Sequence, residues 1–163
     1  MAVIRDARPE DAEAIAAVWN PVIRNTAATF NKVERSAQDV RGMMEARAAQ
    51  GHPWLVAETE GGVVGFATYA QFREGVGYAH TMEHTIILGD GAIGEGLGPK
   101  LMERLVEEAR ARGAHSLIAA VTAENEAGVA FHEKMGFREV GRIPEAGLKF
   151  ERWMALVLLQ RML

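Results

Sequence analysis

Apolar residues recur along the chain at two spacings, and each change of spacing marks a new element. Residues 2–6, AVIRD, predict a short strand. Pro9 stands where a first helical turn tolerates it. Ile15, Val18 and Trp19 then mark one face of a helix that the Asn20-Pro21 pair is expected to end. Residues 22–35 read as irregular. Ser36 is an N-cap with Asp39 three residues on, and it opens a helix to about Gln50 that Gly51 stops. The runs 54-WLVAE-58 and 63-VVGFATYA-70 flank Gly61-Gly62 and predict a hairpin. After a loop holding Arg73, 80-HTMEHTIIL-88 is the next strand. Leu97, Leu101, Met102, Leu105, Val106 and Ala109 fall at helical spacing, with charges on the opposite face, and Gly113 ends that helix. A buried-type strand, 115-HSLIAAV-121, a short helix over 126–135 and two final strands, 137–141 and 150–160, complete the chain. A hairpin-rich first half followed by strand–helix–strand–helix–strand predicts an α/β fold with a mixed sheet.

Composition narrows the classes. The 163 residues amount to one domain, 1–163, with no repeat, linker or low-complexity tract. Hydrophobic residues make up 48% and charged residues 25%, an ordinary globular balance. The net charge of −4 and the lack of a Lys/Arg cluster speak against a nucleic-acid partner. The start of the chain, MAVIRDARPEDAEAI, has no apolar segment of the signal-peptide kind. No apolar run approaches the ~20 residues that span a bilayer. With no cysteine there is no disulfide, thiolate metal site or Cys nucleophile. A cytoplasmic protein without a membrane partner is expected. His80, His84, His115 and His132 show no compact ligand spacing, so no metal is expected.

One stretch asks for a chemical explanation. Residues 89–98, GDGAIGEGLG, hold five glycines in ten positions, directly before the strongest helix. A helix N-terminus offers unpaired N–H groups and a partial positive charge. Gly94, Gly96 and Gly98 lack side chains, so an anion such as a pyrophosphate can approach those groups closely. Two common nucleotide motifs do not match. The ATP-type loop meets Leu97 and Gly98 where it needs Lys and Ser/Thr. The dinucleotide fingerprint meets Pro99 or Leu101 where it needs its third glycine. From the glycines alone, a plain turn without a ligand remains an equal reading.

Three stretches together resemble the GCN5-related N-acetyltransferase superfamily, in particular its phosphinothricin and methionine sulfone acetyltransferase branch. They are 80-HTMEHTIIL-88 followed by 94-GEGLG-98, then 125-NEAGVAFHEKMGF-137, then 149-KFERW-153. The pieces 19-WNPVIRNTAATF-30 and 69-YAQFR-73 also look like that branch, so the resemblance runs over almost the whole chain. It implies a mixed central sheet, flanked by helices, whose fourth and fifth strands splay apart to admit acetyl-CoA. By position it implies that Gly94, Glu95, Gly96, Leu97, Gly98 and Pro99 hold the diphosphate of coenzyme A. Ile86, Ile87 and Leu88 would run along its pantetheine arm and Asn125 would contact it. Ile93 replaces the loop's usual first polar residue, Ile87 stands where the branch often has Tyr, and Ala155 replaces a usual carboxylate.

The resemblance also assigns chemistry. Acetyl transfer needs a neutral amine, a polarised carbonyl and a protonated leaving thiolate. An α-amine, with a pKa of about 8, sets its base a modest task. Glu83 matches the family's base position, sharing a strand face with Thr81 and Thr85; from the residues alone, a solvated strand glutamate is the plainer reading. His84 is the second base candidate. His132 stands where an acid would protonate the departing sulfur, with a packing role as its plain alternative, and the oxyanion would rest on a backbone N–H near Ile87. For a substrate carboxylate, Arg73 is the first partner and Lys149 the second, both with surface charge as the alternative. Phe30 is a candidate pocket wall.

The resulting expectation is an acetyl-CoA-dependent N-acetyltransferase acting on the α-amine of a small amino-acid-like molecule, such as methionine sulfone, methionine sulfoximine or phosphinothricin. Two alternatives stay open: a peptide N-terminus or other amine as acceptor, and a non-catalytic acyl-CoA-binding module. The branch commonly forms homodimers, and one is expected here.

Overall fold

The computed structural model describes residues 2–92 and 95–163. Seven strands form one sheet in the order β1-β2-β3-β4-β5-β7-β6. They are β1 (Val3–Asp6), β2 (Trp54–Thr59), β3 (Gly62–Gln71), β4 (Thr81–Leu88), β5 (Ser116–Thr122), β6 (Arg138–Lys149) and β7 (Arg152–Met162). Four helices accompany them: α1 (Ala12–Asn25), α2 (Ala37–Ala49), α3 (Leu97–Ala111) and α4 (Glu126–Lys134). Every neighbouring pair of strands is antiparallel except β4 and β5.

The sheet is covered on both faces, and alternation along the strands decides which residue goes where. Val56 and Phe66 point toward Ile15, Trp19, Ile23 and Val40 of α1 and α2. Their neighbours Leu55 and Ala67 point the other way, into a cluster with Leu101, Met102, Leu105, Val106 and Ala109 of α3. That row is the periodic apolar face read from the sequence, and all five of its side chains are fully buried.

The parallel pairing of β4 with β5 covers only Thr81↔Ser116, Met82↔Leu117 and Glu83↔Ile118. β4 continues for five more residues and β5 for four, without pairing to each other. The two strands therefore splay beyond Glu83, the wedge that the resemblance implied. β4 stays fixed on its other side, where it pairs with β3 out to Gly65↔Leu88.

Two boundaries depart from expectation. The first helix runs past Asn20-Pro21 to Asn25. Pro21 cannot donate its helical hydrogen bond, but Ile23, four residues after Trp19, is fully buried and anchors the last turn. The final hairpin is also longer than expected, because β6 continues to Lys149 and turns directly into β7. Its two turn residues, Phe150 and Glu151, both have positive φ, at 52° and 61°. Two-residue hairpin turns of this kind normally carry Asn or Gly, so the composition gave no signal for it.

Candidate active site

The wedge opens into a cavity of about 500 Å³, well within the range of small-molecule sites. Its walls come from β4 (Glu83 to Ile87), β5 (Ala119 to Thr122), the loop over residues 28–31, the inner side of α1 and α2 with Arg35 between them, Asn125 and His132 at α4, and Leu156 of β7. The loop is held from its start to its middle. Thr122 Oγ1 donates to the Ala27 carbonyl at 2.5 Å, and Lys149 Nζ donates to the carbonyls of Thr26 and Thr29, each at 2.7 Å.

Glu83 is the last residue of β4 paired to β5, so its half-buried carboxylate sits where the wedge begins and lines the cavity. Burial raises it above the ordinary carboxylate range, which makes a carboxylate a better proton acceptor near neutrality. His84 points to the other side of the strand and is buried. Its Nε2 lies 3.0 Å from Nε2 of His132. Its Nδ1 lies 3.2 Å from the Ile118 carbonyl, and Nδ1 of His132 lies 2.7 Å from the Gly128 carbonyl. Burial, then the adjacent His132, pushes His84 down to about 3; burial also lowers His132. The pair is therefore neutral at physiological pH. A carbonyl only accepts, so the short contact to Gly128 puts the His132 proton on Nδ1. His84 then donates from Nε2 to Nε2 of His132, a tautomer assigned from these distances.

Asn125, expected to touch cofactor, is the N-cap of α4: its Oδ1 accepts from the Gly128 N–H at 3.0 Å. A Cβ at position 128 would overlap the Asn125 amide, which explains the glycine three residues after the cap. Asn125 also lines the cavity.

The other sequence candidates divide. Ile86, Ile87 and Phe30 line the cavity, and Phe30 lies so close over Gly147 that any Cβ there would overlap its ring. Leu88 packs against both main clusters of the α3 side. Gly96, at φ 71°, is the left-handed residue before α3, and open space lies where its Cβ would project. Glu95 precedes it, and Leu97, Gly98 and Pro99 form the first turn of α3. Gly98 admits close packing, since a Cβ there would stand 3.2 Å from Phe131 and 3.3 Å from Leu88. Gly94 and Ile93 lie outside the described residues. Arg73 is not brought to the cavity: it is exposed, with its guanidinium 5.7 Å from the Tyr78 ring. Lys149 is 3% exposed and spends its amino group on the loop carbonyls.

Sequence reasoning missed Trp19, Arg35, Met43 and Arg47, which close the α1–α2 end of the cavity. Arg35 lies in a segment without periodicity, and α2 has a weak apolar stripe with one fully buried residue, Val40. Trp19 belongs to the apolar helix face read from the sequence, but nothing in the local pattern points Arg35, Met43 or Arg47 inward. Among the described residues, no group of three or more His, Asp or Glu side chains is placed to hold a metal, and no helix is long and apolar enough to cross a membrane.

This geometry has close relatives. An L-methionine sulfoximine/L-methionine sulfone acetyltransferase of Pseudomonas paraeruginosa is 38% identical over 98% of this chain and 93% of its own. A phosphinothricin N-acetyltransferase of Alcaligenes faecalis is 32% identical over 97% of this chain and 81% of its own. A structure of a putative acetyltransferase from Salmonella typhimurium with acetyl-CoA superposes at a TM-score of 0.95, with 34% identity, covering 99% of this chain and 93% of that one. The profile of the Acetyltransferase (GNAT) family matches residues 19–137, which take in the wedge, the glycine-rich turn and the Asn125 cap; the chain belongs to that family.

Proposed function

We propose that residues 1–163 act as one acetyl-CoA-dependent N-acetyltransferase domain, which acetylates the α-amine of a small amino-acid-like acceptor of the methionine sulfone, methionine sulfoximine or phosphinothricin type. The observation that carries this reading is Glu83: a half-buried carboxylate, raised by burial, at the point where β4 and β5 part. The names of the relatives supply the acceptor class.

The residues fit acetyl-CoA. The first turn of α3 offers N–H groups without helical partners, and the bare left-handed Gly96 leaves open space beside them. Glu95, Gly96, Leu97, Gly98 and Pro99 would hold the diphosphate end. Ile86, Ile87 and Leu88 would lie along the arm, and Asn125, whose cap uses only its oxygen, keeps an N–H donor to offer. Bound there, acetyl-CoA supplies an acetyl group activated as a thioester.

The chain's own groups then do the following. Glu83 Oε accepts the proton of the acceptor's ammonium group, directly or through a water. A backbone N–H of β4 near Ile87, on the edge that β5 leaves uncovered, faces the developing oxyanion. His132, on the cavity wall, relays a proton to the departing sulfur: turned from His84, its Nε2 lone pair takes the proton that the nitrogen sheds after attack and passes it to the thiolate, which returns the ring to neutral. Phe30 walls the acceptor side, and Lys149 holds the loop that carries it.

Release of free CoA tests this reading with a panel of amino-acid analogues, free amino acids and short peptides. Turnover confined to the sulfone, sulfoximine and phosphinate amino acids is expected. Glu83→Gln should lose about 10²–10⁴ in kcat while still binding acetyl-CoA; undiminished turnover by that variant removes Glu83 as the base. Silence across the panel with acetyl-CoA bound removes the acceptor class.

A homodimer and a cytoplasmic location complete the proposal. Val140, Ile143, Leu148, Phe150 and Trp153, on the edge hairpin β6–β7, are all at least 40% exposed, an apolar surface suited to a second copy. Light scattering at the mass of one chain overturns the dimer.

A further inference from the structure

The α1–α2 end of the cavity carries an electrostatic anomaly. Arg35 and Arg47 both line it, and Nε of each is buried without a hydrogen-bond partner among the described residues. Neither takes part in any of the observed ion pairs. Burial, then the adjacent Arg35, depresses Arg47, so two like charges share a partly dry site. Both side chains are half-buried, and a guanidinium nitrogen taken out of water without a partner carries an uncompensated desolvation cost.

The site is built. Asn20 clamps the Arg35 backbone from both sides, with Nδ2 donating to its carbonyl and Oδ1 accepting from its N–H, each at 2.8 Å. The Arg35 guanidinium then lies over the Trp19 ring, 4.8 Å from its centroid, and Trp19 itself packs on Phe66 at 5.0 Å. Nearby carboxylates are committed elsewhere. Asp39 feels the Arg35 charge, but its oxygen accepts from the Ser36 N–H at 2.8 Å in the α2 cap. Glu83 on the cavity wall is shifted by burial and by neither arginine.

We propose that Arg35 and Arg47 form the oxyanion-binding end of the acceptor pocket, pairing with a carboxylate or chemically equivalent oxyacid group of the molecule whose amine meets Glu83. Guanidinium groups suit this task because their planar donors match the two oxygens of such a group. The inference rests on the acceptor reading above and gives it the specificity residues that Arg73 and Lys149, placed outside the cavity, do not supply in one chain.

Calorimetric binding tests it separately from turnover, in the presence of CoA. The ligands are methionine sulfone, its α-carboxamide and phosphinothricin; the proteins are wild type, Arg35→Gln, Arg47→Gln and Arg35→Lys. If the α-carboxylate is the bound group, the amide binds at least about tenfold more weakly than the acid to wild type, and both Gln variants abolish that difference. If a side-chain oxyanion is the bound group, acid and amide bind alike. Phosphinothricin then binds about tenfold tighter than methionine sulfone, and the Gln variants abolish that advantage. Arg35→Lys should restore part of the discrimination, which a merely structural role of Arg35 would not do. Variants that weaken charged and neutral ligands equally, or that weaken neither, overturn the proposal. Loss of turnover on every amine with this discrimination intact counts against the acetyltransferase reading alone.

Discussion

Nε2 of His84 lies 3.0 Å from Nε2 of His132, and among the described residues this is the one side-chain hydrogen bond between β4 and α4 across the base of the wedge. One nitrogen must carry a proton for that contact to bind. Each ring also meets a carbonyl, at Ile118 and Gly128, so a neutral pair with two protons cannot satisfy all three contacts. The longest of them, His84 to Ile118 at 3.2 Å, is the one left without a proton. The pair should therefore behave as one unit. His84→Gln and His132→Gln should each destabilise the protein, and the double variant should lose less than the sum, with a coupling on the order of 1 kcal/mol. Denaturant unfolding of the four proteins gives that number, and strict additivity would count against the shared proton.

Acid sensitivity follows from the same burial. Both histidines are lowered in the fold, His84 to about 3, against about 6.5 in an unfolded chain. Above that value both states are neutral and the pair imposes no pH dependence. Below it the unfolded chain binds protons that the native pair refuses, so stability falls as pH falls, by up to about 1.4 kcal/mol per pH unit per histidine. Glu83 works in the opposite direction. Its folded value is raised, so its burial penalty is relieved as pH falls through that value. Melting temperature followed from pH 7 to 4.5 should decline in the wild type and decline less in the His84→Gln, His132→Gln double variant.

Gly147 is the seat of Phe30. A methyl group there would overlap the ring, and the ring cannot stay where it lines the cavity. Gly147→Ala should raise the KM for the amino-acid acceptor by about tenfold or more while leaving the KM for acetyl-CoA within about twofold, since a shift of about an ångström at a positioning group is costly. Steady-state kinetics with each substrate varied in turn decides it; equal effects on both would place Phe30 outside the acceptor pocket.

Lys149 offers a complementary test on the same loop. Its buried ammonium donates to two loop carbonyls, and burial lowers its pKa. Lys149→Met keeps the stem and removes both donors. The loop over residues 26–31 should then exchange its amide hydrogens faster, with acceptor KM raised and acetyl-CoA binding unchanged. If Lys149 instead contacted the acceptor directly, the loop's exchange would stay as in the wild type.

The sequence by itself determined the parts governed by local rules. The apolar row from Leu97 to Ala109 specified α3 and its buried face, and Ser36 with Asp39 specified the start of α2 through a capping box that the structure contains. The order of elements, together with three spaced motifs, determined the family and the splayed sheet. Glu83 was singled out by its position in the motif, while strand alternation alone read it as a solvated glutamate; the fold puts it on the cavity wall. Contacts between distant segments were decided only by the tertiary structure. His84 and His132 are 48 residues apart, and Lys149 reaches carbonyls more than a hundred residues away. Arg35 points into the cavity because Asn20 clamps its backbone and Trp19 stacks beneath it. A charged residue in an aperiodic loop reads as surface until the packing around it is known, because charges are exposed by default. The same lack of local information made Arg73 and Lys149 the expected carboxylate partners: sequence gives the type of charge, and only the folded chain gives its neighbours.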